Sequence, residues 1–341
     1  MPNPLRADPT RTTGKQKAYH RQFMARVRAL QKKIRALIID EDAFGIGGGP
    51  TIIPAYRLFT GNTRWQALPD PEKVARFGDW LTEQIESGFF EVDNADDIWA
   101  NTHIRGAYNQ GLKRGYEQVN AEALSADAGF YQGSKASFLR DAFASDVSID
   151  RLKILYTMNT NELKGITNAM SKEMNRLLAE GIGNGLNPRE VARNITQSMP
   201  RITRKRALTI ARTEIVRAHG EGQLNSYERL GIESVTVMAE WKTAGDDRVC
   251  PLCNPLEGVV MTMKEARGLI PRHPNCRCAY VPANVGESGK GQLRRRSDIA
   301  DAIEESLAAQ RPKSTKKKAF DSGWPGQRRK IKGKKKPPKL F

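Results

Sequence analysis

Apolar residues in the first part of the chain recur at the three- and four-residue steps of a helix. Phe23, Val27, Leu30, Ile34, Leu37 and Ile38 form one stripe between about Lys17 and Asp42, with Lys and Arg filling the positions between them. Such a basic amphipathic helix can lie on a membrane or on nucleic acid, but a stripe of this kind more often packs on a partner helix. Gly45, Gly47, Gly48, Gly49 and Pro50 then break the pattern. The run lacks the Gly-Lys-Ser/Thr ending of a phosphate-binding loop and reads as a hinge. Two more helices are predicted, one from near Pro69 through Trp80 to about Ile85, the other over roughly 95–123. The second carries Ile104, Tyr108, Leu112 and Tyr116 on one face. Its Gly106, Gly111 and Gly115 predict close packing against a neighbour, since each costs up to ~1 kcal/mol against alanine in a helix. Residues 125–148 read as loop-rich.

The stretch 149–231 is the most regularly helical. One segment, Asn161 to Glu180, ends in Gly181, Gly183 and Gly185, a C-terminal stop. Asn187 then caps a new helix, with Pro188 first and Glu190 third, and Val191 and Ile195 on its buried face. Pro200 is predicted to end it. A third helix is predicted from about Thr203 to Leu230. After Gly231 the period changes to two: Val235, Val237, Ala239 and Trp241 alternate with Thr236, Met238 and Glu240, as in a strand buried on one face. Residues 278–282 read as a short returning strand.

All four cysteines of the 341 residues lie between these two strands, as Cys250-Pro-Leu-Cys253 and Cys276-Arg-Cys278, with His273 three residues before the second pair. A Cys-x-x-Cys turn can aim both thiolates at one ion, and the second pair, or one of its cysteines with His273, completes a tetrahedron. Zn²⁺ suits thiolate and imidazole and needs no redox partner. Five candidate ligands favour a closed, structural site over a catalytic one with an open position. The competing reading is one or two disulfides linking the pairs, which a cytosolic birthplace disfavours; the N-terminus shows no apolar signal core. A unit of about 50 residues has little core of its own, and a structural metal supplies folding energy directly.

The expected fold is therefore mainly α: helical N-terminal and central regions, then a small α+β zinc-stapled module and a disordered basic C-terminal tail. The expected boundaries are a flexible arm over 1–17, a helical region over 18–148, a unit over 149–283 (helical to 231, zinc module 232–283), and linker plus tail over 284–341. Hydrophobic residues make up 39% of the chain and charged ones 28%, so most of it can fold, and no run is long enough to span a bilayer. Of the net charge of +18, two thirds rides on residues 311–341, which hold thirteen Lys or Arg and one acid, Asp321. Lys316, Lys317, Lys318, Arg328, Arg329, Lys330, Lys332, Lys334, Lys335 and Lys336, with Phe320 and Trp324 interleaved, are the candidate nucleic-acid contacts. A solubility tail, or an arm for an acidic protein surface, is the alternative.

Four pieces, in order, carry a resemblance: Ala211-Arg212-Thr213-Glu214; Trp241-Lys-Thr-Ala-Gly-Asp246-Asp247-Arg248-Val-Cys250-Pro-Leu-Cys253; Leu256-Glu-Gly258; and His273-Pro-Asn-Cys276-Arg-Cys278. With the Asn187 helix, they resemble the phage head morphogenesis family, the minor head proteins of the phage Mu F type, over roughly 150–283. The resemblance implies a virion protein inside the capsid near the portal, made in the host cytoplasm, assisting head assembly and accompanying the genome. Its implied partners are the portal protein and/or the major capsid protein, with packaged double-stranded DNA on the basic tail and no membrane. It implies metal ligation at Cys250, Cys253, His273, Cys276 and Cys278, and no catalysis.

Arg212, Thr213 and Glu214 point three ways around a helix, so at least one faces inward. A buried Arg–Glu pair, or Glu214 holding an amide of the zinc module, is the expected role. Asp246 and Asp247 are expected to shape the turn before Cys250, and Trp241 to be core. Two other classes compete. A zinc-containing nuclease of the His-Asn-His kind needs a histidine base beside a second metal, yet only His20, His103, His219 and His273 exist. A cellular nucleic-acid-binding zinc protein would want more cations than Lys264, Arg267 and Arg272 between the ligand pairs.

Overall fold

The computed structural model describes residues 8–47, 65–92, 97–125, 133–234, 237–284 and 294–295. Among them are seven helices: α1 (Thr13–Arg35), α2 (Asp70–Phe89), α3 (Trp99–Ser125), α4 (Lys135–Ala144), α5 (Asp146–Gly183), α6 (Pro188–Ser234) and the short α7 (Met263–Ala266). Four strands follow or interrupt them: β1 (Val237–Lys242), β2 (Val259–Met261), β3 (Ala279–Asn284) and β4 (Arg294–Arg295). The chain is mainly α with a small sheet at its C-terminal side. Gly48, Gly49 and Pro50 of the predicted hinge, and every lysine and arginine of the tail, lie outside the described residues.

The stripe is buried throughout, from Phe23 on α1 to Leu37 and Ile38 in the π-helical turn Ala36–Asp40 that continues it, with Tyr19 added at its start. The helix begins at Thr13, inside the stretch expected to be a flexible arm. Asp8 is the reason: its carboxylate accepts from the Thr13 amide at 2.9 Å and from the Thr10 hydroxyl at 2.6 Å, satisfying a first-turn donor. These bonds, the Thr10 one first, hold the Asp8 carboxyl below its usual range although burial opposes them. The expected loop at 125–148 instead contains α4, which Ser134 caps by accepting from the Ser137 amide.

Long helix α6 is the spine, packed on α1, α3 and α5. Its crossing with α3 is close enough that backbone meets backbone. A methyl on Gly111 would lie 2.1 Å from the His219 carbonyl oxygen, and one on Gly222 would lie 2.2 Å from that of Tyr108. A methyl on Gly115 would lie 2.7 Å from the Ser226 side chain and 3.0 Å from the Gln223 carbonyl oxygen, whereas Gly106 meets only the tip of Lys15. Across this crossing Asn225 Nδ2 donates to Ser148 Oγ (2.7 Å) and the Tyr108 hydroxyl (2.9 Å), tying α3, α5 and α6 together with a buried polar cluster.

Pro200 does not end a helix as expected; α6 runs through it. Proline leaves the carbonyl four residues back without its donor. That carbonyl, Thr196 O, accepts from Gln31 Nε2 of α1 at 2.6 Å, so tertiary packing supplies the missing bond. The turn before α6 follows the sequence. Gly185 takes φ +63°, with its amide on Ile182 O (3.0 Å) and the Leu186 amide on Gly181 O (2.9 Å), and Asn187 Oδ1 accepts from the Glu190 amide.

The sheet order is β3-β1-β2-β4, with β1 antiparallel to β2 and β3, and β4 parallel to β2. Pro282 sits opposite Ala239 on edge strand β3, where a missing N–H costs no ladder bond. Ala239 and Trp241 of β1 are fully buried, and Glu240 between them is half-buried.

Candidate metal centre

Two loops bring the donors together. The first leaves β1 at Gly245, which has φ +65°. Asp246 Oδ1 accepts from the Arg248 amide (3.1 Å), its carbonyl accepts from the Val249 amide (3.1 Å), and the chain then winds so that Cys253 N–H bonds to Cys250 O (3.0 Å). A single 3₁₀ turn, Asn254–Leu256, closes this loop. The second loop bonds Cys276 N–H to His273 O (3.1 Å), places Asn275 at φ +62°, and feeds straight into β3.

The five donors form two triads that share Cys253: Cys250, Cys253 and His273 in one, Cys253, Cys276 and Cys278 in the other. Within each triad the ligand atoms lie within 4.8 Å of one another. Cys253, Cys276 and Cys278 are buried and Cys250 is half-buried; all four are free thiols, so the disulfide alternative is not what the loops build. His273 Nε2 is 3.0 Å from Cys250 Sγ, while Nδ1 is 2.8 Å from the Pro274 carbonyl. A carbonyl only accepts, so Nδ1 carries the proton and Nε2 presents its lone pair toward the sulfurs, the orientation an imidazole ligand needs. Hydrogen bonds from the Cys253 and Cys278 thiols, and from the Cys278 and Arg272 amides, pull Cys276 far below the ordinary thiol range, and donation to Cys276 pushes Cys253 up. A cavity of about 40 Å³ opens among Cys250, Cys253, His273 and Cys278. Soft sulfur and imidazole donors gathered this closely form a possible metal-binding group, and the donor set fits a tetrahedral ion.

The module is docked on α6 by polar contacts. Asn275 is the link: its amide donates to Thr213 Oγ1 (3.2 Å), its side chain reaches Thr209 Oγ1 (3.3 Å), and Arg212 touches its Oδ1 (3.5 Å). Arg277 closes a two-pronged pair on Asp246 at 2.6 and 2.7 Å, joining the two ligand loops. That pair, with Arg248 beside it, holds the Asp246 carboxyl well below the usual carboxylate range. Farther along, Arg267 bonds Glu221 (3.0 Å) and Glu228, and Gln223 donates to Tyr280 O (3.0 Å). Trp241 is fully buried, edge-on to Tyr280. Its indole N–H lies near Cys278 without a hydrogen bond of ordinary geometry; although the Cys253 contact opposes it, the bond to Cys276 and burial push the Cys278 thiol up overall.

Two expectations need correction. Glu214 is buried, but its partner is Arg217 (3.2 and 3.3 Å), one turn on, and not Arg212, which is exposed and serves Asn275. Nor, among the described residues, does Glu214 hold an amide of the module; burial raises its carboxyl pKa against the pull of Arg217. Asp247 is exposed and accepts no hydrogen bond among the described residues, so Asp246 alone shapes the turn. The residues missed were Thr209, Asn275, Arg277 and Glu257, whose carboxylate caps the Thr243 amide at 2.6 Å. Asn275, Arg277 and Glu257 sit inside the quoted motifs, and their polar character between ligands was the available signal.

Helical spine, docked sheet and paired ligand loops define a protein whose sheet module gathers a Cys/His cluster that could hold a metal ion. Residues 172–281, about a third of the chain, match the family model described as Phage Mu protein F like protein, and this segment is the one that carries the phage head morphogenesis resemblance read from its motifs. No curated protein and no solved structure matches the chain. No helix among the described residues is long and apolar enough to cross a membrane.

Proposed function

We propose that the chain is a minor head protein of a tailed phage or prophage, made in the host cytoplasm and placed inside the capsid near the portal. There it acts in head assembly, docking on the portal protein and/or the major capsid protein and touching packaged double-stranded DNA with its basic tail. The observation that carries this reading is a coincidence of boundaries. The matched segment, 172–281, runs from within α5 through α6 and the Cys/His module, up to the middle of β3. Its motif residues are those that join helix to module.

In this reading the module holds one structural zinc through Cys250 and Cys253 with two of His273, Cys276 and Cys278. When bound, zinc supplies folding energy to a sheet too small to hold itself. Asn275, Arg277 and Asp246 orient the loops, and Arg267 fixes the module against α6. The protein works as an adaptor and not a catalyst. What supports this is the placement of histidines: His219 is fully buried at the α3–α6 crossing, and His103 packs against Tyr19 and Trp99. Only His273 stands at the module, where its lone pair faces the thiols. The test is a virion lacking the protein, complemented with the parent chain or with Cys253→Ser. Defects in head assembly, DNA retention or infectivity that only the parent repairs support the role. Intact, infectious heads without the protein refute it.

A further inference from the structure

The tail is the obvious DNA contact in sequence, but the helical body carries a second concentration of charge. Helix α1 has eight Lys or Arg and no acid in its 23 residues. At 100° per residue, Lys17, Arg21, Arg28, Lys32 and Arg35 fall within an arc of about 60°, opposite the buried stripe, along about 27 Å of helix. All five are exposed. Helix α6 lies antiparallel beside them: His20 touches Arg204 O (3.3 Å), and Gln31 bonds Thr196 O. The exposed side of α6 along this seam adds Arg193, Arg201 and Arg204. Among the described residues none of these eight cations is in an ion pair. Like charges lined up without counter-charges oppose the fold that presents them, and an anionic partner removes that cost.

The surface itself discriminates among anionic partners. A membrane-surface helix keeps an apolar face for the lipid, but that of α1 is spent on the core, and among the described residues the large exposed hydrophobics are Val92, Val147, Ile149, Ile154 and Met158, none of them on α1 or α6. Single-stranded nucleic acid is held by aromatic platforms, and the stripe exposes none. What remains is a rigid row of cations, suited to a regular row of phosphates. We infer that the α1–α6 seam is a sequence-independent docking face for the phosphate backbone of double-stranded nucleic acid, separate from the tail. This deepens the proposed DNA contact and gives it a site on the folded body.

The test uses the full-length chain with Lys17, Arg21, Arg28, Lys32 and Arg35 all replaced by Gln, which keeps helix propensity. Binding to a fluorescent duplex of mixed sequence is followed over a salt series, with circular dichroism confirming the helices. Removing one cation from its phosphate flattens the slope of log K against log salt by about 0.9, so replacing all five should flatten it by up to about 4.5 units. Replacing Lys15 and Lys33 by Gln, on the other flank of the same helix, should leave it unchanged. An unchanged slope in the fivefold variant, with binding abolished instead when the tail cations are replaced, overturns the inference and leaves the proposed DNA contact standing. A parent chain that binds no duplex overturns both. Loss of binding to phosphatidylserine vesicles or to single-stranded DNA, with duplex binding intact, also overturns it.

Discussion

Alanine at Gly111 and at Gly106 should change stability in opposite directions, although both glycines lie within α3. In an open helix position, Gly→Ala stabilises by roughly 0.5–1 kcal/mol through the entropy of the unfolded chain and helix propensity. Gly106 is such a position: a Cβ there meets only Lys15 Nζ at 3.3 Å, and a lysine tip moves aside. At Gly111 the new methyl would lie 2.1 Å from the His219 carbonyl oxygen, 2.9 Å from its carbon and 3.0 Å from the Gln223 amide nitrogen. These are backbone atoms of α6, so relief requires the helices to part by about an ångström, which loosens packing along the crossing. Overpacking of this kind costs about 1–3 kcal/mol, and a backbone clash belongs at the upper end. After crediting the helix propensity, Gly111→Ala should lose roughly 2 kcal/mol while Gly106→Ala gains up to about 1. Urea unfolding followed by circular dichroism at 222 nm measures both. Equal stability of the two variants would refute the backbone contact.

Three further outcomes are expected. Cys253→Ser, removing the thiol shared by both triads, should abolish metal retention and unfold the sheet module over 237–284, read as a weakened near-ultraviolet signal from Trp241, while most helical signal stays. Gln31→Ala should cost about 1–3 kcal/mol by orphaning the Thr196 carbonyl, and adding Pro200→Ala, which restores a donor to that carbonyl, should recover much of it; a double-mutant cycle in urea reads the coupling. His219, fully buried, has its pKa pushed down to about 4 from 6.5 by desolvation. Its contribution is therefore complete above pH 6.5 and drains away as pH falls toward 4, a loss of roughly 3 kcal/mol that His219→Leu should remove from the pH–stability profile.

The helical part of the fold was legible wherever apolar spacing and end signals agreed. The α1 stripe, the Gly185–Asn187 turn and the close-packing glycines Gly111 and Gly115 were all visible, because each depends on local geometry. Pro200 misled because the rule it invokes is local, while the donor that rescues its helix comes from Gln31, 165 residues away in sequence. The start of α1 was missed because Asp8 looked like one more polar residue in a polar arm. At the site, ligand types and spacing singled out the five donors, since few arrangements put thiols that close together. The partners of Arg212 and Glu214 were not legible. Which side of α6 meets the module is fixed by the docking of Asn275, a long-range contact that no periodicity encodes.

The central claim is that a metal ion staples the Cys/His module onto the helical spine. Elemental analysis of the purified full-length protein tests it most directly. One zinc per chain, removed by a chelator only with loss of the near-ultraviolet signal of Trp241, is the result this account predicts. A folded, metal-free protein whose module keeps that signal would contradict it.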